Sequence, residues 1–487
     1  MGEYEVFGNP LPRKAVASAC RAAKGYARRF AFDPEKRYDL VAEPMGLAWD
    51  TFGIQRLVER TSPEGAGLTD GQGGVVIGTI RMGFGHYRMA LAIASAARSM
   101  GLSPYWLDYL SFPESAASRT IAYLEKLYSL GSRLSQKSRL FNRLWERITL
   151  DVPQRISYVP RDREMCRLLA PIARGLPGGL PYLATHPWAG HAAVHAGIER
   201  VVNVVPDNYP LAFHLVEGAL HVVQTPSAFT GYRSLRNMGL RGGPPLSAMP
   251  SRDIEYVGHY VDHEIVRNVE IDCERRLRRI ADRKARRLLL TMGGAGAQVE
   301  RFASIASFLK DSVDSGRACL LINMGDHEGR WLELRARLDS LGIGYTAHTD
   351  WNDTKAFAEE LLDGEARGVH AFVHRDTFAA VYSTNLLMRA ADVMVTKPSE
   401  LSFYPVPKLF IQRVGRHEAW GAIRGAEIGD GTLETESTAS LFQALRIVIE
   451  EDDLLELYCA RILRNKADGI YDGAYQAVHA ALTRKGG

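Results

Sequence analysis

Apolar and polar positions along the chain fall into two successive series of the same kind. From Gly74 a short β-branched run, "GVVIGTI", leads into a helical stretch over residues 86–100, where Ala90, Ile93, Ala94 and Ala97 share one face. "PYWLDYL", "GLPYLATHP", "RVVNVVPD", "ALHVVQTPS" and "SRDIEYVGHYVD" read as further strands, with a helix, "AGHAAVHAGI", among them. After a charged helix, "CERRLRRIADRKARR", the grammar restarts with "RLLLTMGGAGAQVERFASIASFLKD": strand, glycine turn, helix. "RACLLINMGD", "GIGYTAHTD", "ADVMVTKPS" and "KLFIQRV" supply more strands, and two helices close the chain around 438–451 and 452–484. Apolar strands alternating with helices predict parallel sheets covered on both faces. The expected fold is therefore α/β: two Rossmann-like, doubly wound domains joined near 255–285 and facing across a cleft.

The expected boundaries are a basic N-terminal extension over 1–70, a first Rossmann-like domain over 71–262, a second over 263–445, and C-terminal helices over 446–487 that pack back on the first domain. In the extension, Arg13, Lys14, Arg21, Lys24, Arg28 and Arg29 occur with no acid between Val6 and Phe32. A second basic amphipathic stretch runs from Arg119 to Ile148 and includes Trp145. Each reads as a solvated or packed helix, or as a surface for anionic lipid headgroups.

Composition narrows the function classes. The 487 residues carry a net charge of +4, too balanced for a dedicated nucleic-acid binder. Five cysteines, none in a C-x-x-C pair, suit a reducing compartment and argue against a disulfide framework or a zinc ribbon. No apolar run reaches the roughly 18 residues of a membrane span. The expectation is a cytoplasmic protein, lying peripherally against a membrane if the basic helices engage one.

The second glycine turn, "TMGGAGAQ", is the clearest phosphate candidate. Gly293, Gly294 and Gly296 let backbone N–H groups approach an anion just before a helix N-terminus. "VTKPSEL" follows a buried strand: Lys397 suits a phosphate, Glu400 can accept both hydroxyls of a ribose, and Ser399 lies between them. In "RVGRHEAWGAI", His417 can donate to a phosphate oxygen and Glu418 can bind sugar hydroxyls. Their conjunction fits a nucleotide-sugar pocket better than a dinucleotide pocket, because neither glycine turn completes G-x-G-x-x-G. In the first series, His86 ends "GFGH" and can take a proton near neutral pH. Asp207, in "VVPDNYP", is the other candidate base. His186 also ends a strand. His191 and His195 stand at i, i+4 with no third metal ligand in view.

"GFGH", "VVPD", "TMGGAGA", "RAADVMVTKPSEL" and "HEAWGA" occur in the order found in two-domain GT-B glycosyltransferases. Over roughly 74–480 the chain resembles the monogalactosyldiacylglycerol synthases and the transferase that completes the lipid-linked peptidoglycan precursor. The resemblance implies that His86 and Asp207 are the catalytic or acceptor-side residues and that Gly293, Gly294 and Gly296 meet the donor diphosphate. It also implies that Lys397, Ser399, Glu400, His417 and Glu418 complete the donor site. The chain departs from the pattern where Ser399-Glu400 replaces a Gly-Gly pair, and "SFYPVP" runs directly to the next strand without the usual helix. Glu400 then substitutes for the ribose-binding glutamate.

The implied activity is an inverting, metal-independent hexosyltransferase that moves a sugar from a UDP-sugar donor to a hydroxyl acceptor, a lipid-linked one among the candidates. It needs no cofactor beyond the donor. Two alternatives remain: a UDP-sugar 2-epimerase of the same fold, and a non-catalytic protein that binds nucleotide-sugar or lipid.

Overall fold

The computed structural model describes residues 4–46, 49, 52–61, 68, 73–135, 151–240, 242–293, 296, 298–413 and 415–484. The chain divides into two units. The first contains 1–82, 89–259 and 473–487, and the second contains 83–88 and 260–472.

The first unit begins with a two-residue hairpin, β1 (Glu5–Val6) and β2 (Asn9–Pro10), and the helix Arg13–Arg29. Eight further strands form its sheet: β3 (Leu40–Pro44), β4 (Gln55–Glu59), β5 (Gly74–Thr79), β6 (Ser103–Asp108), β7 (Tyr182–Ala184), β8 (Val201–Val204), β9 (Leu220–Val223) and β10 (Ile254–Tyr256). Their order is β10-β9-β8-β7-β5-β6-β4-β3, parallel except for the antiparallel β3–β4 pair. Strands β3 and β4 come from the stretch expected as a basic extension. They escape a reading by apolar runs because an edge pair is only half buried.

The second unit holds a six-stranded, fully parallel sheet: β11 (Arg286–Thr291), β12 (Ala318–Gly325), β13 (Thr346–His348), β14 (Gly368–Val373), β15 (Val393–Thr396) and β16 (Lys408–Phe410). The order is β13-β14-β12-β11-β15-β16. Every residue of β11 and β12 is buried, as expected of strands with helices on both faces. β14 and its flanking helices, Trp351–Asp363 and Thr377–Ala390, fill the stretch between "YTAHTD" and "LLMRAADV", where the sequence pattern places no strand. The two doubly wound sheets are as expected.

At the end of the chain there are three helices rather than two, Thr438–Glu450, Asp453–Ala467 and Gly473–Thr483. The second packs on the helix Val269–Ala281 of its own unit, and the third packs on β7 and β8 of the first unit.

Candidate active site

In a doubly wound sheet, ligands bind beyond the strand carboxyl ends where the strand order reverses. In the second unit that point lies between β11 and β15. The chain leaves β11 toward β12 and returns on the other side as β15. There Thr291 Oγ1 donates to Thr396 Oγ1 at 2.8 Å and ties the two strand ends together.

Within two residues of each threonine-ended strand the chemistry begins. A Cβ on Gly293 would stand 2.8 Å from Lys397 Cε, so the glycine leaves the space through which the lysine crosses. Beyond it the Lys397 ammonium pairs with the Glu418 carboxylate, the two side chains 15% and 11% exposed. Glu418 also accepts from the Gly415 N–H at 3.1 Å through its second oxygen. Gly296 adopts φ +62°, a left-handed conformation that costs a residue with a Cβ about 1 kcal/mol or more. His327 donates from Nε2 to the Gly293 carbonyl at 3.1 Å. The helix Val299–Phe308 starts beyond Gln298 with no side-chain cap, so its first amides remain suited to an anion. Gly294 lies outside the described residues.

The structure thus gathers Gly293, Gly296, Lys397 and Glu418 at one place. Lys397 and Glu418 already neutralise each other, so an anion that takes the lysine frees the glutamate for hydroxyl groups. His417 sits in the single 3-10 turn Arg416–Glu418. Ser399 donates its N–H to the Lys397 carbonyl at 2.8 Å. Only the turn Glu400–Phe403 stands between β15 and β16, matching the missing helix.

Gly83–Arg88, expected with the first domain, clusters with the second unit. His86 is half-buried there, and the Phe84 ring lies 5.6 Å from that of His327. Arg88 is buried and donates from Nη1 to Asn385 Oδ1 at 2.6 Å. Its Nε faces Glu400 Oε1 at 3.7 Å. The sequence held a signal for Arg88: one cation in the apolar run "YRMALAIASAA" needs a partner once buried.

In the first unit Asp207 follows β8. His214, in the 3-10 turn Ala212–His214, donates from Nε2 to Asp207 Oδ2 at 2.9 Å. The Asp207 side chain is 31% exposed and that of His214 is 2% exposed, so the carboxylate meets solvent while the imidazole orients it. Sequence reasoning missed His214, which lies seven residues away in a loop.

The other histidines that the sequence singles out in this unit make local contacts or are buried. His186 caps the helix Pro187–Ala196, its Nδ1 accepting from the Trp188 N–H at 3.1 Å. Burial pushes the His191 pKa down to about 3. His195 donates to the Arg163 carbonyl at 2.7 Å. Among the described residues no three His, Cys, Asp or Glu side chains gather as a metal site.

Both basic stretches begin as helices. In Arg13–Arg29, Ala19 and Ala23 are buried, while Arg13, Lys14, Arg21, Lys24, Arg28 and Arg29 are exposed. The second is helical over Ala116–Ser135, and Trp145 lies outside the described residues. Among the described residues no helix is long and apolar enough to cross a membrane.

Two family models match the chain, both described as domains of unknown function: DUF6937 over residues 5–234 and DUF6938 over residues 249–482. No curated protein matches it. Among solved structures, it is similar to a UDP-GlcNAc 2-epimerase from Neisseria meningitidis bound to UDP-GlcNAc, at 12% identity and a TM-score of 0.43, covering 84% of this chain and 100% of that one. It is similar also to an alpha,alpha-trehalose-phosphate synthase (UDP-forming) from Burkholderia vietnamiensis, at 12% identity and a TM-score of 0.42, covering 85% and 100%.

Proposed function

We propose that the second unit holds a nucleoside diphosphate sugar, UDP-linked in the first instance, and that the protein transfers the sugar to a hydroxyl acceptor with inversion. The observation that carries this reading is Lys397 laid across Gly293 at the β11/β15 switch point, beside an uncapped helix start. Backbone amides around Gly293 and Gly296, with Lys397, take the diphosphate. Glu400 accepts from the ribose diol. Glu418 and His417 turn to the sugar and its phosphate.

In the transfer, the acceptor oxygen attacks the anomeric carbon as the bond from that carbon to the diphosphate oxygen breaks. The acceptor proton passes to His86 or Asp207. The departing diphosphate gains charge while the amides and Lys397 already face it, which lowers the barrier without a reorganisation cost.

Loss of a general base costs about 10²–10⁴-fold in rate. UDP release from candidate UDP-sugars is expected to fall by that order in His86→Ala or Asp207→Ala. Unchanged turnover in both variants removes the base assignment, and a chain that binds no UDP removes the donor assignment.

The acceptor favoured by this reading is lipid-linked, with the exposed cations of Arg13–Arg29 meeting anionic headgroups at the cytoplasmic face. The expected result is co-sedimentation with phosphatidylglycerol vesicles that is lost as salt rises. No binding at low salt rejects the membrane contact.

A further inference from the structure

Within the second unit, Arg88 is held as few surface arginines are. Its side chain is 4% exposed. Nη1 donates to Asn385 Oδ1 at 2.6 Å, and Nη2 reaches both the Val381 carbonyl and Thr384 Oγ1 at 3.3 Å. All three anchors belong to the helix Thr377–Ala390, so the planar fork is fixed from one side. Nε is the group left over. It is buried without a hydrogen-bond partner, and it faces Glu400 Oε1 at 3.7 Å. The second carboxylate oxygen lies beside Gly85, where a Cβ would be 3.4 Å from Oε2.

An unpaired buried donor has lost its water without gaining a partner, which destabilises the fold. Closing the gap to Glu400 by less than an ångström would recover part of that loss. Glu400 is 21% exposed on its side chain, so it can move and still meet a ligand.

We propose that Arg88 is a positioning residue for ribose recognition, holding Glu400 so that its carboxylate accepts hydrogen bonds from the 2′ and 3′ hydroxyls of a ribonucleotide. This rests on the donor site proposed above. Arg88 touches no ligand itself. The geometry makes it a determinant of ribose over deoxyribose, a preference that the glycine turn and Lys397 cannot supply because they meet phosphate. The two ends of the device come from distant parts of the sequence, 88 at the first glycine turn and 400 after β15, yet both belong to the second unit.

The test compares UDP with 2′,3′-dideoxy-UDP by calorimetry on the full chain and on Arg88→Lys, Glu400→Gln and the double variant. The unsubstituted protein is expected to favour UDP about tenfold or more, in line with one charge-assisted hydrogen bond. Each single substitution is expected to bring the ratio toward one while dideoxy-UDP affinity stays within about twofold, and the double variant should be no worse than either. Asn385→Ser, which loosens the fork from its anchor, is expected to lower the ratio in the same way and serves should Arg88→Lys fail to fold. If Arg88→Lys weakens both ligands equally and keeps the ratio, Arg88 is only a scaffold residue and the proposal fails. A ratio near one in the unsubstituted protein that binds UDP also overturns it while leaving the donor site standing. Binding of neither nucleotide overturns both readings.

Discussion

In each sheet a threonine pair ties two neighbouring strands at their carboxyl ends, where the strand order reverses: Thr79 with Thr185 at 3.0 Å in the first unit and Thr291 with Thr396 at 2.8 Å in the second. Beyond the pair the two units diverge. After Thr185, His186 caps a helix, and after β9 Thr225 donates to Asn208 at 2.6 Å and caps the helix Pro226–Arg233. After Thr396 the chain presents Lys397 across a glycine, with the carboxylate of Glu418 beyond. The same architecture thus commits these polar groups to helix caps in one unit and presents a charged pair in the other. Asp207, oriented by His214, is the one candidate on the first side whose carboxylate is partly open to solvent.

The largest effect that would sharpen this contrast is acid sensitivity of the first unit. His221 is fully buried, accepts from the Val216 N–H at 2.9 Å through Nε2, and donates from Nδ1 to the Asp253 carbonyl at 3.0 Å. Burial lowers its pKa from 6.5 to about 4. Between those values the unfolded chain takes up a proton that the folded chain refuses, so stability is full above the upper value and is lost as pH falls toward the lower one. The loss is at most about 3 kcal/mol. Denaturant titrations across that range should show it, and His221→Gln should flatten the slope; an unchanged slope breaks the argument.

Next in size is Lys397→Met. A hydrogen bond to a charged group is worth about 1.5–3 kcal/mol, so UDP affinity should fall about 30-fold, read by calorimetry. Equal affinity would remove the difference between the two switch points. Smaller still is Gly293→Ala, expected to weaken UDP about tenfold, about 1.4 kcal/mol. The added methyl meets the flexible end of Lys397 rather than backbone, so the thermal midpoint should hardly move. A large drop in that midpoint would make Gly293 a folding residue instead.

The central strands of both sheets were legible because buried parallel strands read as continuous apolar runs, as "RLLLT" and "ACLLINMG" do. β14, "GVHAFV", was not, because an alternating run interrupted by His370 carries a weak signal. Gly293, Gly296, Lys397 and Glu418 were each visible as residue types at strand ends. Their mutual arrangement was not, since a pair 21 residues apart is made by the fold. Arg88, His214 and His327 share that reason: each acts on a partner that only tertiary structure brings near.

The helix Gly473–Thr483 buries Ala474, Ala477, Val478 and Ala481 and belongs with residues made long before it. During synthesis, nearly all of the second unit has left the ribosome before that helix appears. The half of the protein translated first is therefore the half completed last, and its sheet must wait through the making of more than two hundred residues, 260–472, with the seat for that helix uncovered.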